Sequence, residues 1–286
     1  MKRFKKVYIE ITNICNLSCS FCPKTKRAPR SMSTDEFVHV LDEVRPYTDY
    51  IYLHLMGEPF LHPQLAQLLK LCEERCIRVN ITTNGVLIKR VKEILLTAPA
   101  LRKVGFSLHS FEANQSEQAL EAYIEDVLSF VQTARETELI CELRLWNNDS
   151  DEKSGANALN MRIIRMIEER LDVTVGEILA TQGSVKLRER LYLGFAQIFD
   201  WPDAAQQDTN DAAFCYGLRD QIGILSDGTV VPCCLDSEGT IALGNVFADP
   251  LSQILASERA QRIYNGFSRR EAVEGLCKSC GYAQRF

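Results

Sequence analysis

Apolar and polar positions along this chain repeat with two different periods, and the switches between them mark out strands and helices. Val7–Thr12, Tyr50–Leu55, Arg78–Thr83, Lys103–Leu108 and Ile140–Trp146 are short runs rich in apolar, β-branched or aromatic residues, of strand length. Between them, apolar residues spaced three and four apart predict helices over Pro63–Cys76, Lys89–Leu96, Glu117–Glu138 and Ala158–Leu171. Another helix opens at Ser33-Thr34-Asp35-Glu36, where Ser33 and Glu36 fit a capping box. A sixth strand falls near Leu191–Trp201. Strand and helix in regular alternation predict parallel strands joined by right-handed crossovers. The expected fold is therefore α/β, a partial (β/α)6 TIM-like barrel over residues 1–202. Ligands of such sheets gather at the carboxyl ends of the strands.

The pattern changes after an Asp-, Gln- and Asn-rich linker at 203–211, which sets the expected boundary of a second domain, 203–286. Gln221–Leu225 and Thr229–Pro232 flank Ser226-Asp227-Gly228, and Asp-Gly between two strand-like runs is a strong hairpin signal. A short helix near Leu251–Ser257 follows, so this part reads as a small β-hairpin and helix domain.

Composition narrows the class. A chain of 286 residues that is 46% hydrophobic can bury a full core. It contains no apolar run of membrane-spanning length and opens on the charged MKRFKKVYIE, so neither a span nor a signal peptide is expected and the location is read as cytoplasmic. A net charge of −5 gives no global attraction to nucleic acid. The basic stretch Lys24–Arg30 reads as a solvated loop, with contact to an anionic substrate as the alternative. Eleven cysteines in a reducing compartment point to metal or redox use rather than disulfides. Cys72 and Cys76 stand four apart on an apolar helix face with Leu65, Leu68 and Leu69, and are expected to be buried thiols.

Three other cysteines are placed differently. Cys15, Cys19 and Cys22 form C-x3-C-x2-C directly after the first strand. Three thiolates at this spacing can cover one face of a [4Fe–4S] cluster and leave the fourth iron open to a small molecule. Zinc is the alternative, but it needs a fourth ligand, and the nearest histidine, His39, lies beyond the basic loop. With this triplet the chain resembles the radical S-adenosylmethionine (SAM) enzymes, whose open iron chelates SAM and whose cluster electron splits it to a 5′-deoxyadenosyl radical. The resemblance extends to the strand ends. Met56-Gly57-Glu58-Pro59 resembles the family's G-G-E-P segment, with Met56 replacing the first glycine, and implies SAM contacts at Gly57, Glu58 and Pro59. It implies further cofactor contacts at Phe21, Asn84, Ser107, Arg144 and Leu145. Asn84-Gly85 is also a common turn pair, so Asn84 keeps both readings. Arg144, set among Leu143, Leu145 and Trp146, needs an anionic or hydrogen-bonding partner. Cofactor, substrate, Glu10 and Glu142 are all candidates for it. Arg144 and His109 are the catalytic candidates.

The C-terminal part resembles the shortened "twitch" form of the SPASM extension, with Cys215, Asp227 to Cys233, Gly244 to Val246, Leu251 and Cys277-x2-Cys280 in place. It implies one auxiliary [4Fe–4S] cluster held by Cys215, Cys233, Cys277 and Cys280. Cys234 rivals Cys233, since adjacent residues of a strand face opposite sides, and a four-cysteine zinc site is the alternative to iron. A fully ligated second cluster suits electron transfer. The resemblance therefore implies an oxidoreductase, dehydrogenase-like on a small molecule, supplied with electrons by a flavodoxin- or ferredoxin-type donor. A peptide-modifying maturase and a non-catalytic iron–sulfur or zinc protein are the other two readings.

Overall fold

The structure, a computed structural model, describes residues 3–114, 117–146, 154–175, 184–196, 199–203 and 211–283. The chain divides into two compact units. One comprises Met1–Cys15, Pro23–Val79 and Phe199–Phe286, the other Asn16–Cys22 and Asn80–Ile198.

In the first unit β1 (Lys6–Ile9) lies between two parallel neighbours, β2 (Tyr50–Tyr52) and β8 (Gln221–Ile224). Tyr8 stands opposite Tyr52 on one side and Gly223 on the other. Val7, Ile9 and Ile51 are wholly buried, the expected state for a strand paired on both edges. β8 turns at Asp227-Gly228 into antiparallel β9 (Thr229–Val231), which pairs with β10 (Gly244–Asn245). Gly228 has φ 86°, and a Cβ there would come within 2.6 Å of the Phe247 ring, so the turn requires glycine. Segments after residue 211 thus continue the sheet that begins at β1.

Helices α1 (Thr34–Val44), α2 (Leu65–Glu74), α6 (Leu251–Ala256), α7 (Glu258–Ser268) and α8 (Gly275–Lys278) complete this unit. The capping box at α1 forms as expected: Glu36 N donates to Ser33 Oγ at 3.2 Å and Ser33 N to Glu36 Oε2 at 2.8 Å. α1 buries Phe37, Val40, Leu41 and Val44, one helical face, at about 1.5–3 kcal/mol each. α2 stops at Glu74, two residues short of the expected end. Cys72 is buried, but Cys76 lies beyond the helix in a left-handed conformation (φ 55°) and is exposed, which corrects its reading as a core thiol.

In the second unit the strand order is β3-β4-β5-β7-β6. β3 (Arg78–Thr83) enters it from the first unit, followed by β4 (Leu101–Ser107) and β5 (Ile140–Trp146), with β5 parallel to β4 and to β7 (Leu191–Ala196). β7 is the expected sixth strand, ending at Ala196 rather than Trp201. The short β6 (Ser184–Arg188), antiparallel to β7, was not expected. Helices α3 (Ile88–Leu96), α4 (Glu117–Ala134) and α5 (Ser154–Leu171) alternate with these strands. Five strand–helix units, β1–α1 to β5–α5, with β7 as the sixth strand, give the partial barrel that the alternation predicts. On β5, Cys141, Leu143 and Leu145 are buried while Glu142, Arg144 and Trp146 alternate with them on the other face. Residues 204–210 of the expected linker lie outside the described residues. Among those described, no helix is long and apolar enough to cross a membrane.

Candidate cofactor and cysteine sites

Cys15 belongs to the first unit and is exposed. Its loop is backed by the Met56-Gly57-Glu58-Pro59 segment. Gly57 has φ 75°, and a Cβ on it would come within 2.8 Å of the Asn13 carbonyl carbon and closer still to the Thr12 oxygen. Two backbones therefore lie flush at a position open only to glycine. Glu58 N donates to Ile14 O at 2.8 Å, one residue before Cys15. The Glu58 side chain is 2% exposed and its Oε1 accepts from Phe60 N at 3.0 Å, opening a 3-10 turn over Pro59–Leu61. The carboxylate is thus fixed from the protein side, and Pro59 is buried beside it.

Cys19 and Cys22 belong to the second unit, Cys19 buried and Cys22 half-buried. Cys22 N donates to Cys19 O at 3.3 Å, and Cys19 Sγ lies 3.8 Å from Ser110 O. The loop is held from two strand ends. Asn84 Nδ2 donates to Asn16 Oδ1 at 2.8 Å, while Tyr123 OH donates to Asn84 O at 2.8 Å. Ser20 donates through both N and Oγ to Glu112 Oε1, at 2.9 and 2.6 Å. Ser107, half-buried at the end of β4, accepts from Ser110 Oγ at 2.7 Å through its carbonyl. Asn84 takes its turn reading, with Val86 N donating to its Oδ1 at 3.0 Å, and its amide is also tied to the cysteine loop.

Phe21, His109 and Trp146 form one aromatic group. His109 stacks on Trp146 with centroids 4.3 Å apart at 12°, and Phe21 lies 4.9 Å from each ring. His109 is 8% exposed, and burial pushes its pKa down to about 3, so the ring is neutral. Its Nδ1, 3.2 Å from Arg144 O, carries the proton toward that carbonyl. The Arg144 guanidinium donates to Thr82 Oγ1 at 3.5 Å. Neither glutamate weighed as its partner takes that place, for Glu142 pairs with Lys103 at 2.8 Å and Glu10 with Arg27 at 2.7 Å. Leu145 is 1% exposed on the face opposite Arg144, so its side chain is core and only its backbone remains for a cofactor contact.

Cys215, Cys233, Cys277 and Cys280 come together in the first unit. Cys233 interacts electrostatically with Cys234, Cys215 and Cys277, and Cys277 with Cys215 and Cys280. Burial, reinforced by these neighbours, pushes the Cys215, Cys233 and Cys277 thiols up; burial raises Cys280 as well. Cys234 lies beside this set: it interacts electrostatically with Cys233 and Cys215 and also with the Tyr8 hydroxyl, and burial pushes its pKa up to about 11. Among the described residues no three His, Cys, Asp or Glu side chains converge tightly enough to hold a single metal ion.

Sequence reasoning missed Asn16, Ser110, Glu112 and Tyr8. Only Asn16, adjacent to Cys15, and Tyr8, two residues before Glu10 just past the end of β1, carried a local signal. The Lys24–Arg30 segment is also not a free solvated loop. Its Arg27 side chain is 15% exposed and ion-paired to a Glu10 carboxylate that is 0% exposed.

Residues 9–145 match the sequence model of the Radical SAM superfamily, and residues 215–281 match that of an iron-sulfur cluster-binding domain, SPASM. A curated relative, the tungsten-containing aldehyde ferredoxin oxidoreductase cofactor-modifying protein of Pyrococcus furiosus, is 33% identical over 88 residues, 29% of this chain and 25% of the relative. The chain spans well under two thirds of the length of the other curated relatives as well. Among solved structures, BtrN in complex with AdoMet and 2-DOIA superposes with a TM-score of 0.61 at 16% identity, covering 98% of this chain and 94% of BtrN. Streptococcus suis SuiB bound to precursor peptide SuiA gives 0.63 at 18%, covering 99% of this chain and 71% of SuiB. These two likenesses establish a shared fold.

Proposed function

Since this chain belongs to the radical SAM superfamily and carries an iron–sulfur cluster-binding domain in its C-terminal part, we propose that it is an oxidoreductase which takes a hydrogen atom from a small molecule and passes the remaining electron to one auxiliary [4Fe–4S] cluster. When bound, the SAM-binding [4Fe–4S] cluster and SAM supply the 5′-deoxyadenosyl radical that removes the hydrogen. Cys15, Cys19 and Cys22 hold that cluster within residues 1–202. Gly57, Glu58 and Pro59 present a fixed acid and a close backbone to SAM. Asn84, Ser107 and Arg144 offer hydrogen bonds and a positive charge, Phe21 an aromatic face, and Leu145 its backbone. His109 stays neutral across physiological pH, and its bond to the Arg144 carbonyl orients the catalytic-candidate arginine rather than exchanging protons.

The observation that carries the two-electron reading is the gathering of Cys215, Cys233, Cys277 and Cys280, with Cys234 beside Cys233 and next to Tyr8. Half-buried thiols that repel one another as thiolates favour a cationic core that deprotonates them on binding. Four ligands close such a core, which suits it to electron transfer within residues 203–286. A flavodoxin- or ferredoxin-type protein is the proposed electron donor. A second reading, modification of a peptide, is favoured by the likeness to SuiB, which was solved with a precursor peptide.

Anaerobic reconstitution with iron and sulfide, iron counting and a dithionite-driven SAM-cleavage assay test the proposal. It requires about eight irons and release of 5′-deoxyadenosine, as two four-iron clusters imply. About four irons with cleavage intact removes the auxiliary cluster, and no cleavage removes the enzyme reading. Cleavage stimulated by peptides and not by small polar metabolites selects the second reading.

A further inference from the structure

The basic segment after Cys22 grips both ends of the stretch that carries Cys233, and every contact lies within the first unit. Glu10, fully buried, is the centre of this grip. Its Oε2 accepts from Arg27 Nη2 at 2.7 Å, and its Oε1 accepts from Ser226 N at 3.1 Å and Ser226 Oγ at 2.9 Å. Arg27 Nε then donates to Ser237 O at 2.9 Å, and Arg30 Nε to Ser226 O at 2.8 Å. Lys26 N is shared by both Glu238 carboxylate oxygens at 3.1 and 3.2 Å. Asn13 steadies the strap itself, taking Arg30 N on Oδ1 at 2.7 Å and donating Nδ2 to Ala28 O at 2.9 Å. Residues 226, 237 and 238 are thereby fixed on either side of Cys233 and Cys234.

Exposed ion pairs contribute little, but a buried carboxylate stripped of its cation is strongly destabilising, and a pair of this kind is commonly no more stable than an apolar replacement. What Arg27 provides that an apolar residue would not is direction, because one guanidinium addresses Glu10 and Ser237 at once. We propose that Arg27 and Glu10 are positioning residues for the auxiliary-cluster segment: they set the redox properties of the Cys215/Cys233/Cys277/Cys280 site and leave SAM cleavage untouched. The inference rests on the auxiliary-cluster reading above.

Arg27→Met and the shape-preserving double variant Glu10→Met/Arg27→Met test it, the second because it leaves no orphaned charge if the first folds poorly. Hydrogen exchange on the unloaded protein should rise about tenfold over residues 226–238 while β3 and β5 keep their protection. After reconstitution on a Cys15→Ala/Cys19→Ala/Cys22→Ala background, EPR-monitored titration should give a lower midpoint potential than the same background with Arg27, since a nearby positive charge favours the reduced cluster. SAM cleavage by Arg27→Met in the otherwise native chain should stay within about twofold of wild type, a change that corresponds to well under 1 kcal/mol. Unchanged exchange and potential in a folded variant overturn the proposal. Exchange raised throughout both units, with cleavage lost in parallel, overturns it too by making the pair a general stability element. If the native chain itself binds only about four irons, one cluster's worth, the auxiliary-cluster reading fails, whereas the exchange result still decides whether the strap holds residues 226–238.

Discussion

Cys15 is exposed, Cys22 half-buried and Cys19 buried, whereas Cys215, Cys233, Cys277 and Cys280 are all half-buried. The first set spans eight consecutive residues and rests on strand-end groups: Ile14 O, Asn84, Ser110 and Glu112. The second is drawn from four places between residues 215 and 280. In the proposed function, the short loop offers its exposed Cys15 where a small molecule enters, and the set drawn from distant segments surrounds what it holds. That proposal uses the same ligand chemistry once for access and once for enclosure.

The comparison is broken most severely by removing a ligand from each set. Cys19→Ala should lower SAM cleavage by at least about 100-fold, beyond the 10–100-fold typical of lost groups around a metal's ligands. Cys277→Ala should keep cleavage and lose about half the iron, one cluster of two. Parallel loss of cleavage in both would show one interdependent site rather than two.

Gly57→Ala attacks the first set through the backbone. At φ 75°, with Asn13 and Thr12 backbone atoms where the methyl would go, the substitution should cost about 1–3 kcal/mol in stability and open the Cys15 loop. A thermal midpoint and SAM affinity equal to wild type would mean that the flush contact is not needed.

His109 gives the comparison a pH signature. Its unfolded pKa is near 6.5 and its folded value about 3. Between those values the unfolded chain binds a proton that the folded chain excludes, so stability falls as pH drops below 6.5 and is undisturbed above it. At pH 5 the loss is on the order of 2 kcal/mol. Buried His62 shifts in the same direction, so the measurement is a difference: His109→Phe should lose less stability between pH 7 and 5 than wild type. Identical acid profiles would show that the imidazole charges freely in the fold.

Legibility in the sequence followed locality. β3 and β5 have the bounds read from their apolar runs, and the α1 cap was visible because its partners stand three residues apart. β6 is a five-residue edge strand paired antiparallel to β7, too short to show a period. α7 was missed because its sequence, ERAQRIYNGFS, is mostly polar; its burial rests on Ala260, Ile263, Gly266 and Phe267. Cysteine spacing was readable for the same local reason. Arg27 was misread because its partners are 17 and 210 residues away, and no local pattern distinguishes a guanidinium that will be buried from one that will be solvated. Phe21, His109 and Trp146 likewise meet only in the fold.

The choice between neighbouring cysteines gives the smallest effect and the sharpest assignment. Val231 ends β9, and the two residues that follow Pro232 share Cys215 as a neighbour but differ in the rest: Cys233 interacts with Cys277, Cys234 with Tyr8. Cys233→Ala should therefore lose the second cluster's iron. Cys234→Ala should keep it and lose only about 1 kcal/mol, because the buried Tyr8 hydroxyl is left without its acceptor. Cys234→Ser, which restores an acceptor, should recover most of that loss, and iron counting beside thermal unfolding separates the three. If Cys234→Ala sheds iron while Cys233→Ala retains it, the enclosing set is built from the other sulfur and the strand must turn its opposite face to the cluster.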